Sequence, residues 1–270
     1  MNKTGIEWAT MTWNPLRGCS WASPGCDNCY AERIARRFSK GRIAPFHGVT
    51  SPETGRWNSN IEFIPAKLDE PKRIKQPQLI FAGSMSDWCH PNVLLHWMQQ
   101  IFEVMRETPQ HYYLVLTKRP YRIRRHLPEP YPANLAIGTS IEHPRSLLRG
   151  YKLLEQWSGA CFLSLEPLLA EMSIAELLEF DTEQRIRQVI VGGETGPGAR
   201  PMIPAWVRRL RDETKRYGRA FFFKQWGTGL FSREERLRLG RTLYGEEWNE
   251  NPWPVPLANA KRHKSLAGTL

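Results

Sequence analysis

Three cysteines within eleven residues constrain this chain more than any other feature of its sequence: Cys19, Cys26 and Cys29. Thiolates are soft ligands that bind zinc or the irons of an iron–sulfur cluster, and a Cys-x2-Cys pair brings two sulfurs to one centre. A structural zinc site takes four protein ligands, whereas a [4Fe–4S] cluster held by three thiolates leaves one iron open to a small molecule. The three cysteines therefore predict a [4Fe–4S] cluster with a reactive open position.

The cysteine segment resembles radical S-adenosylmethionine enzymes, whose signature Cys-x3-Cys-x2-Cys follows the first strand of a partial or full α/β barrel. In this chain the spacing is Cys-x6-Cys-x2-Cys, and Asn28 stands where an aromatic residue commonly precedes the last cysteine. The chain is also similar to a radical-SAM-like family of phage- and prophage-associated proteins, through residues 12–32, 84–87, 116–120, 192–196 and 224–227. The resemblance implies a barrel, a [4Fe–4S] cluster, S-adenosylmethionine as a second cofactor, and an electron donor that reduces the cluster.

Short apolar runs alternate with longer segments of helical period, which is typical of repeated βα units and a parallel sheet. Candidate strands lie at 7–13, 79–83, 112–117, 135–139, 161–165, 189–192 and 220–223, and candidate helices at 30–39, 92–107, 144–157 and 204–217. We predict an α/β fold, a parallel (β/α) barrel or partial barrel of the radical-SAM or TIM-barrel type, over residues 1–226. Residues 41–76 are predicted to form a long insertion, and residues 227–270 an extension packed on or trailing from the same domain.

Polar residues follow the predicted strands at their carboxyl ends, where the active sites of parallel α/β folds lie. The resemblance to radical-SAM enzymes implies contacts with the methionyl amino group after the second strand, with the ribose after the fourth, and with the adenine after the fifth and sixth. In that order the candidates are Ser84, Ser86 and Asp87, then Ser140 and Glu142, then Glu166 and Glu194. The glycine-rich segment around Glu194 is equally consistent with a flexible turn.

Two further residues are candidates for chemistry at the substrate. Lys118 follows the third predicted strand and suits neutralisation of a carboxylate or a phosphate, although it also fits a solvated edge. Cys89 lies beside His90 in a predicted site loop, as a candidate hydrogen-atom donor to a substrate radical or a fourth metal ligand. A lone cysteine is more often a small buried hydrophobe, which is our interpretation of Cys161 within its strand.

The chain is strongly basic, with 38 Lys and Arg against 27 Asp and Glu and a formal charge of +11. Such a charge attracts polyanions, and eleven tryptophans with eight tyrosines offer stacking surfaces for bases. DNA or RNA is therefore an expected partner, against the alternative that the tryptophans fill the core and the charge serves solubility. No apolar run approaches the roughly 20 residues of a membrane span, and five cysteines fit metal ligation in a reducing compartment. We expect a cytoplasmic protein without a membrane partner.

With the family resemblance, these features predict a radical S-adenosylmethionine enzyme whose 5′-deoxyadenosyl radical abstracts hydrogen from a nucleic-acid base or nucleoside, for modification or repair. One alternative is a non-enzymatic nucleic-acid-binding protein with a structural zinc on the three cysteines plus Cys89 or His90. Another is an iron–sulfur protein that keeps the barrel without radical chemistry, such as a sensor or a phage-accessory protein. The identity of the metal and the cleavage of S-adenosylmethionine distinguish the three.

Overall fold

The computed structural model describes residues 1–41 and 44–257. Its strands are β1 (Asn2–Lys3), β2 (Met11–Trp13), β3 (Leu16–Arg17), β4 (Glu62–Phe63), β5 (Leu79–Ala82), β6 (Tyr112–Thr117), β7 (Leu135–Ser140), β8 (Cys161–Leu165), β9 (Ile186–Gly192), β10 (Ala220–Gln225), β11 (Thr242–Leu243) and β12 (Glu246–Glu247). Eight of them form one sheet in the order β1-β2-β5-β6-β7-β8-β9-β10. β1 is antiparallel to β2, and the seven strands from β2 to β10 are parallel to their neighbours.

The order of the seven parallel strands in the sheet follows their order in the chain. Because crossovers between parallel strands are right-handed, this order places the connecting helices on one face of the sheet. In the described part of the chain β2 and β10 do not pair with each other, so the barrel is open. The predicted α/β partial barrel is confirmed, and each of the seven predicted strands has a counterpart, although the first, predicted at 7–13, is confined to Met11–Trp13.

The described helices are α1 (Tyr30–Arg37), α2 (Leu95–Glu107), α3 (Ile123–His126), α4 (Leu148–Gln156), α5 (Ala175–Phe180), α6 (Pro204–Arg216) and α7 (Arg233–Leu239). The four predicted helices correspond to α1, α2, α4 and α6. α4 begins later than predicted because Pro144–Ser146 form a separate 3-10 turn, capped by His143. The sequence does not predict α3, α5 and α7, which are too short for a helical period to show. None of the described helices has the length and apolarity that a membrane crossing needs.

The two faces of the sheet have different cores. On one face, alternate strand residues such as Val115 pack against helix residues such as Ile101. On the other, inner face, Phe162 and its neighbours pack with Trp8 and Trp253 rather than with a helix. The Trp253 indole donates a hydrogen bond to Gln188 Oε1 at 2.9 Å. These aromatic residues pack on the inner face of the sheet, below a cavity at the carboxyl ends of the strands.

The predicted insertion contributes structure beside the first parallel strand. Its β4 pairs with β3, and Arg17 Nε lies 2.8 Å from Glu62 Oε2 across this pair. Trp57, also in the insertion, lines the space at the carboxyl ends of the strands. Residues 42–43 of the insertion and residues 258–270 of the predicted C-terminal extension lie outside the described residues.

Candidate functional site

A cavity at the carboxyl ends of the parallel strands is lined by Cys19, Cys26 and Cys29. The loop that carries them begins after β3, contains a 3-10 turn over Pro24–Cys26 and ends where α1 begins. At the start of this loop Gly18 has a φ of +100°, and a Cβ there would lie 2.1 Å from the Asn60 carbonyl oxygen. Only glycine fits such a position, and the tight turn directs the loop and its three thiols over the strand ends.

The three thiols form a donor set suited to an iron–sulfur cluster. Burial, with a further contribution from Asp87, raises the pKa of Cys19 to about 12. Burial also raises the pKa of Cys29. Among the residues that the structure describes, no three His, Cys, Asp or Glu side chains converge closely enough to hold a single metal ion.

Asp87, predicted to bind the methionyl amino group, is engaged by donors of its own chain. Its Oδ1 accepts hydrogen bonds from Thr117 Oγ1 at 2.6 Å and from the Cys89 N–H at 3.0 Å. Its Oδ2 accepts from Arg119 Nη1 at 2.7 Å and from the Lys118 N–H at 3.2 Å. With four donors on two oxygens, Asp87 ties the segment after β5 to the end of β6.

Arg119 extends this network to the cysteine loop. Its Nη2 donates to Ser20 Oγ at 2.8 Å and to the Ser20 carbonyl at 3.2 Å. Ser20 follows Cys19, and the guanidinium charge acts to lower the pKa of that thiol. His90 Nδ1 accepts from the Asn92 N–H at 3.2 Å, which places the ring proton on Nε2, 2.9 Å from Ser20 Oγ. Burial, and then the charge of Arg119, lower the pKa of His90 to about 4, so the ring is neutral at pH 7.

A second carboxylate, Glu194, holds the other side of the loop. It follows β9, pairs with Arg200 and accepts a hydrogen bond from Asn28 Nδ2 at 2.9 Å. Arg200 Nη2 in turn donates to the Pro24 carbonyl at 2.8 Å, and its Nη1 lies 3.5 Å from Asp27 Oδ2. Burial raises the pKa of Glu194, but the hydrogen bonds from Arg200 and Asn28 outweigh burial and leave that pKa lowered. Glu194, a candidate adenine contact, thus fixes the loop in place.

Glu142 and Lys118 lie close together, but Lys118 lines the cavity and Glu142 does not. Glu142 is buried under the loop outside the cavity lining, where it accepts from Arg149 Nη1 at 2.9 Å and packs against Gly25. Despite burial, the charges of Lys118 and Arg149 hold the pKa of Glu142 below its usual range. Lys118 lines the cavity, and its Nζ lies 3.6 Å from Glu142 Oε2. That Nζ is buried without a hydrogen-bond partner in the described structure, so its donors remain available to a ligand.

Like Asp87 and Glu194, the remaining candidate cofactor-binding residues line the cavity, and they are Ser84, Ser86, Ser140 and Glu166. The Ser84 hydroxyl donates to Asn14 Oδ1 at 3.1 Å and accepts from Asn14 Nδ2 at 3.0 Å. Glu166 forms an ion pair with Lys224 Nζ at 2.6 Å. Ser86 Oγ is buried and has no hydrogen-bond partner among the described residues. The fold therefore brings these four side chains and Lys118 to the same space as the three thiols.

Cys89 lies away from this space. It packs in the core between sheet and helices with 1% exposure, as Cys161 does, and does not line the cavity. His90 does not line the cavity either, and both its ring nitrogens have hydrogen-bond partners. The structure thus places neither Cys89 as a hydrogen-atom donor nor Cys89 or His90 as a fourth ligand, because packing and hydrogen bonds occupy both side chains.

Several residues that organise the cavity were missed by the sequence analysis: Asn14, Ser20, Asn28, Tyr30 and Arg200. Tyr30, for example, donates its hydroxyl to the Ser84 carbonyl at 2.9 Å. Four of the five lie in or beside the cysteine segment, so the polar residues around the cysteines were an available signal. Arg200 offers no such signal, because only the folded chain brings it to the loop.

An open parallel α/β barrel with a cysteine-lined cavity at its strand ends is the class of protein that the fold and the site define. The chain belongs to the family described as "Protein of unknown function (DUF5131)", whose model matches residues 3–252. Among curated proteins, none matches this chain.

Among solved structures, the chain is similar to a mutant of Spore photoproduct lyase, with a TM-score of 0.49, 12% identity, and coverage of 87% of this chain and 65% of that chain. A second mutant, with dinucleoside spore photoproduct, gives a TM-score of 0.47, 14% identity, and 85% and 70% coverage. For a third mutant, with bound AdoMet and dinucleoside spore photoproduct, the TM-score is 0.46 and the identity is 12%, with coverage of 80% of this chain and 63% of that chain. The chain spans slightly less than two thirds of the first of these proteins. Similarity at this level assigns neither an activity nor a substrate to this chain.

Proposed function

We propose that this protein is a [4Fe–4S]-dependent radical S-adenosylmethionine enzyme that acts on a base or nucleoside of a nucleic acid. One observation carries the proposal: a single cavity joins three cysteine thiols to buried polar atoms that lack hydrogen-bond partners. These atoms are Ser86 Oγ and Lys118 Nζ; neither has a hydrogen-bond partner among the described residues, and the Lys118 ammonium lies 3.6 Å from Glu142 Oε2. A buried polar group without a hydrogen bond costs about 1–3 kcal/mol, so both atoms indicate a ligand.

The residues present fit both cofactors. Cys19, Cys26 and Cys29 would ligate three irons and leave the fourth open to S-adenosylmethionine. When bound, these cofactors would supply one-electron radical chemistry, with S-adenosylmethionine divided into methionine and a 5′-deoxyadenosyl radical. Lys118 would hold the methionyl carboxylate, since an ammonium with three unused donors suits an anion. On the inner face Trp8 and Phe81 line the floor of the cavity and exclude water from it.

Replacement of Lys118 tests the binding of S-adenosylmethionine. We expect Lys118→Met to weaken this binding about 10- to 100-fold, because a charge-assisted hydrogen bond contributes about 1.5–3 kcal/mol. Anaerobic calorimetry on protein with equal iron and sulfide content measures the change. Lys75→Met, which removes an exposed lysine outside the cavity, serves as the matched control. Wild-type protein that carries a full cluster but binds no S-adenosylmethionine would favour an iron–sulfur protein without radical chemistry.

A second depression borders the cysteine loop and supports the choice of a nucleic-acid substrate. Ser23 and Pro24 of the loop form one side of it, and Tyr121 and Arg145 line it as well. Tyr121 is 57% exposed, and Arg145 is exposed and makes no salt bridge in the described part of the chain. An exposed ring suits stacking on a base, and an unpaired guanidinium suits a phosphate. The loop forms a wall of both depressions, so a strand bound here would pass beside the cavity.

Salt dependence tests this surface. We expect binding of single-stranded DNA to weaken with salt, and Arg145→Glu to reduce the slope of log K against log salt by about 0.7, the value for one phosphate contact. Tyr121→Ala should weaken binding by about 1–3 kcal/mol with an unchanged slope, because stacking releases no counterions. Arg216→Glu makes the same charge change on α6 as a control. If neither DNA nor RNA shows salt-sensitive binding, a free nucleoside becomes the better substrate.

A further inference from the structure

α1 presents an apolar stripe to solvent immediately after the third cysteine. The helix buries its small residues Ala31 and Ala35 against the rest of the protein. Tyr30, Ile34 and Phe38 are exposed at 42%, 40% and 49%. Residues four apart lie on one side of a helix, so these three side chains form one continuous stripe, which begins at the cavity, where Tyr30 is part of the lining. Such a stripe leaves apolar area in contact with water.

Two arginines lie along this stripe. At 100° per residue Arg33 and Arg37 lie on the same side of α1 as Tyr30 and Ile34. Arg37 is exposed, whereas Arg33 is half-buried and its guanidinium lies against Gly196 in the segment after β9. In the described ranges neither guanidinium makes a salt bridge, and the Arg37 guanidinium lies 5.5 Å from the centre of the Phe38 ring. We call Tyr30, Arg33, Ile34, Arg37 and Phe38 the α1 face.

No acidic side chain of α1 offsets this charge. Glu32 is the one carboxylate in the helix, and its Oε2 accepts a hydrogen bond from the Trp57 N–H at 3.0 Å, which directs it to the insertion. The α1 face is therefore apolar along its centre and positive beside it. This pattern complements a partner that is acidic at its rim and apolar at its centre.

We propose that the α1 face docks an acidic one-electron carrier protein that reduces the cluster. This inference rests on the proposed function, since only a reducible cluster on the three cysteines requires such a partner. Tyr30 adjoins Cys29, and the eight residues of α1 extend over about 12 Å, so a carrier seated here lies close to the thiols. Electron transfer falls steeply with distance, and the docking step needs only a small interface. The carrier is oxidised by one electron and the cluster is reduced by one.

The composition of the α1 face favours a protein over a nucleic acid. Tyr30 and Phe38 carry rings, but Ile34 between them is aliphatic, so the stripe is not a continuous surface for stacked bases. Charge steering of an acidic protein also gives fast, transient association, which suits repeated delivery of single electrons.

Two reductants separate docking from chemistry in the cluster-loaded full chain. Reduced flavodoxin, an acidic flavoprotein, must dock, whereas dithionite is a small ion that need not. We expect Arg33→Glu with Arg37→Glu to slow reduction by flavodoxin at least about tenfold at low salt. A control variant with Arg216→Glu and Arg238→Glu makes the same change of charge on α6 and α7. With dithionite, we expect the Arg33→Glu, Arg37→Glu variant and this control to be reduced at the same rate.

The apolar part of the α1 face is tested at high salt, where steering is screened. There Ile34→Ser should still slow the reaction with flavodoxin. Equal flavodoxin rates in the α1-face and control variants would overturn the inference while leaving the proposed function intact. Loss of oligonucleotide binding with an unchanged flavodoxin rate would assign the face to nucleic acid and would overturn it as well. Wild-type protein without any dithionite-reducible absorbance would remove the proposed function, and the inference with it.

Discussion

Alanine at Cys19, Cys26 or Cys29 is expected to abolish the binding of iron and sulfide in anaerobically reconstituted protein. Each thiol lines the same cavity, and the described structure brings neither Cys89 nor His90 there to replace a lost one. Two thiolates cannot hold a four-iron cluster that already lacks one protein ligand, so the loss should be complete. Iron and sulfide analysis, together with the broad visible absorption of the cluster, measures it.

Cys161→Ala is the matched control for this experiment. It removes a fully buried thiol from the core between sheet and helices, far from the cavity lining, so the iron content should equal that of the wild type. Cys89→Ala should behave in the same way. If Cys89→Ala lost the cluster, Cys89 would have to be a ligand after all. One tightly held zinc without iron in the wild type would contradict the cluster itself.

The parallel strands could be predicted because their burial leaves a continuous apolar pattern. Every residue of β5 is buried, since helices cover one face of the sheet and aromatic side chains fill the other. The C-terminal extension could not be placed in this way. Its prolines exclude regular structure over residues 252–256, and the packing of this segment on the inner face depends on contacts such as Trp253 with Gln188, 65 residues away in the chain. No local pattern encodes a contact at that separation.

The same contrast holds at the candidate site, where the sequence predicts the location of a side chain but not the residue with which it pairs. A place after a parallel strand predicts that a side chain lies near the cavity, which holds for Ser86 and Lys118. It does not predict which way a carboxylate turns. Three candidate carboxylates are paired with arginines, Asp87 with Arg119, Glu142 with Arg149, and Glu194 with Arg200, and of these Asp87 and Glu194 also line the cavity. Arg119 comes from the segment after another strand, whereas Arg149 and Arg200 follow their carboxylates by seven and six residues. The ion pairs fix the strand ends and the cysteine loop around the cavity.

Asp87→Ala is expected to cause the largest loss of stability among single substitutions in this network. The side chains of Asp87 and Arg119 are each 8% exposed, and the substitution leaves the guanidinium without its charge partner. Removal of one member of a buried ion pair costs about 3–5 kcal/mol. Thr117 Oγ1 would lose its acceptor as well. Denaturant unfolding of the protein without cofactors measures the change in the free energy of unfolding.

Two other variants separate this structural role from a role in ligand binding. Asp212→Ala removes a carboxylate that is 60% exposed beside Arg211, and it should change stability little because water replaces the lost partner. Asp87→Asn keeps the size and one acceptor oxygen but loses the charge, so its stability should fall between those of the wild type and Asp87→Ala. If Asp87→Ala unfolded at the same denaturant concentration as Asp212→Ala, the pair with Arg119 would contribute little. The carboxylate would then be available for the methionyl amino group, and the variant should lose affinity for S-adenosylmethionine while its fold remains intact.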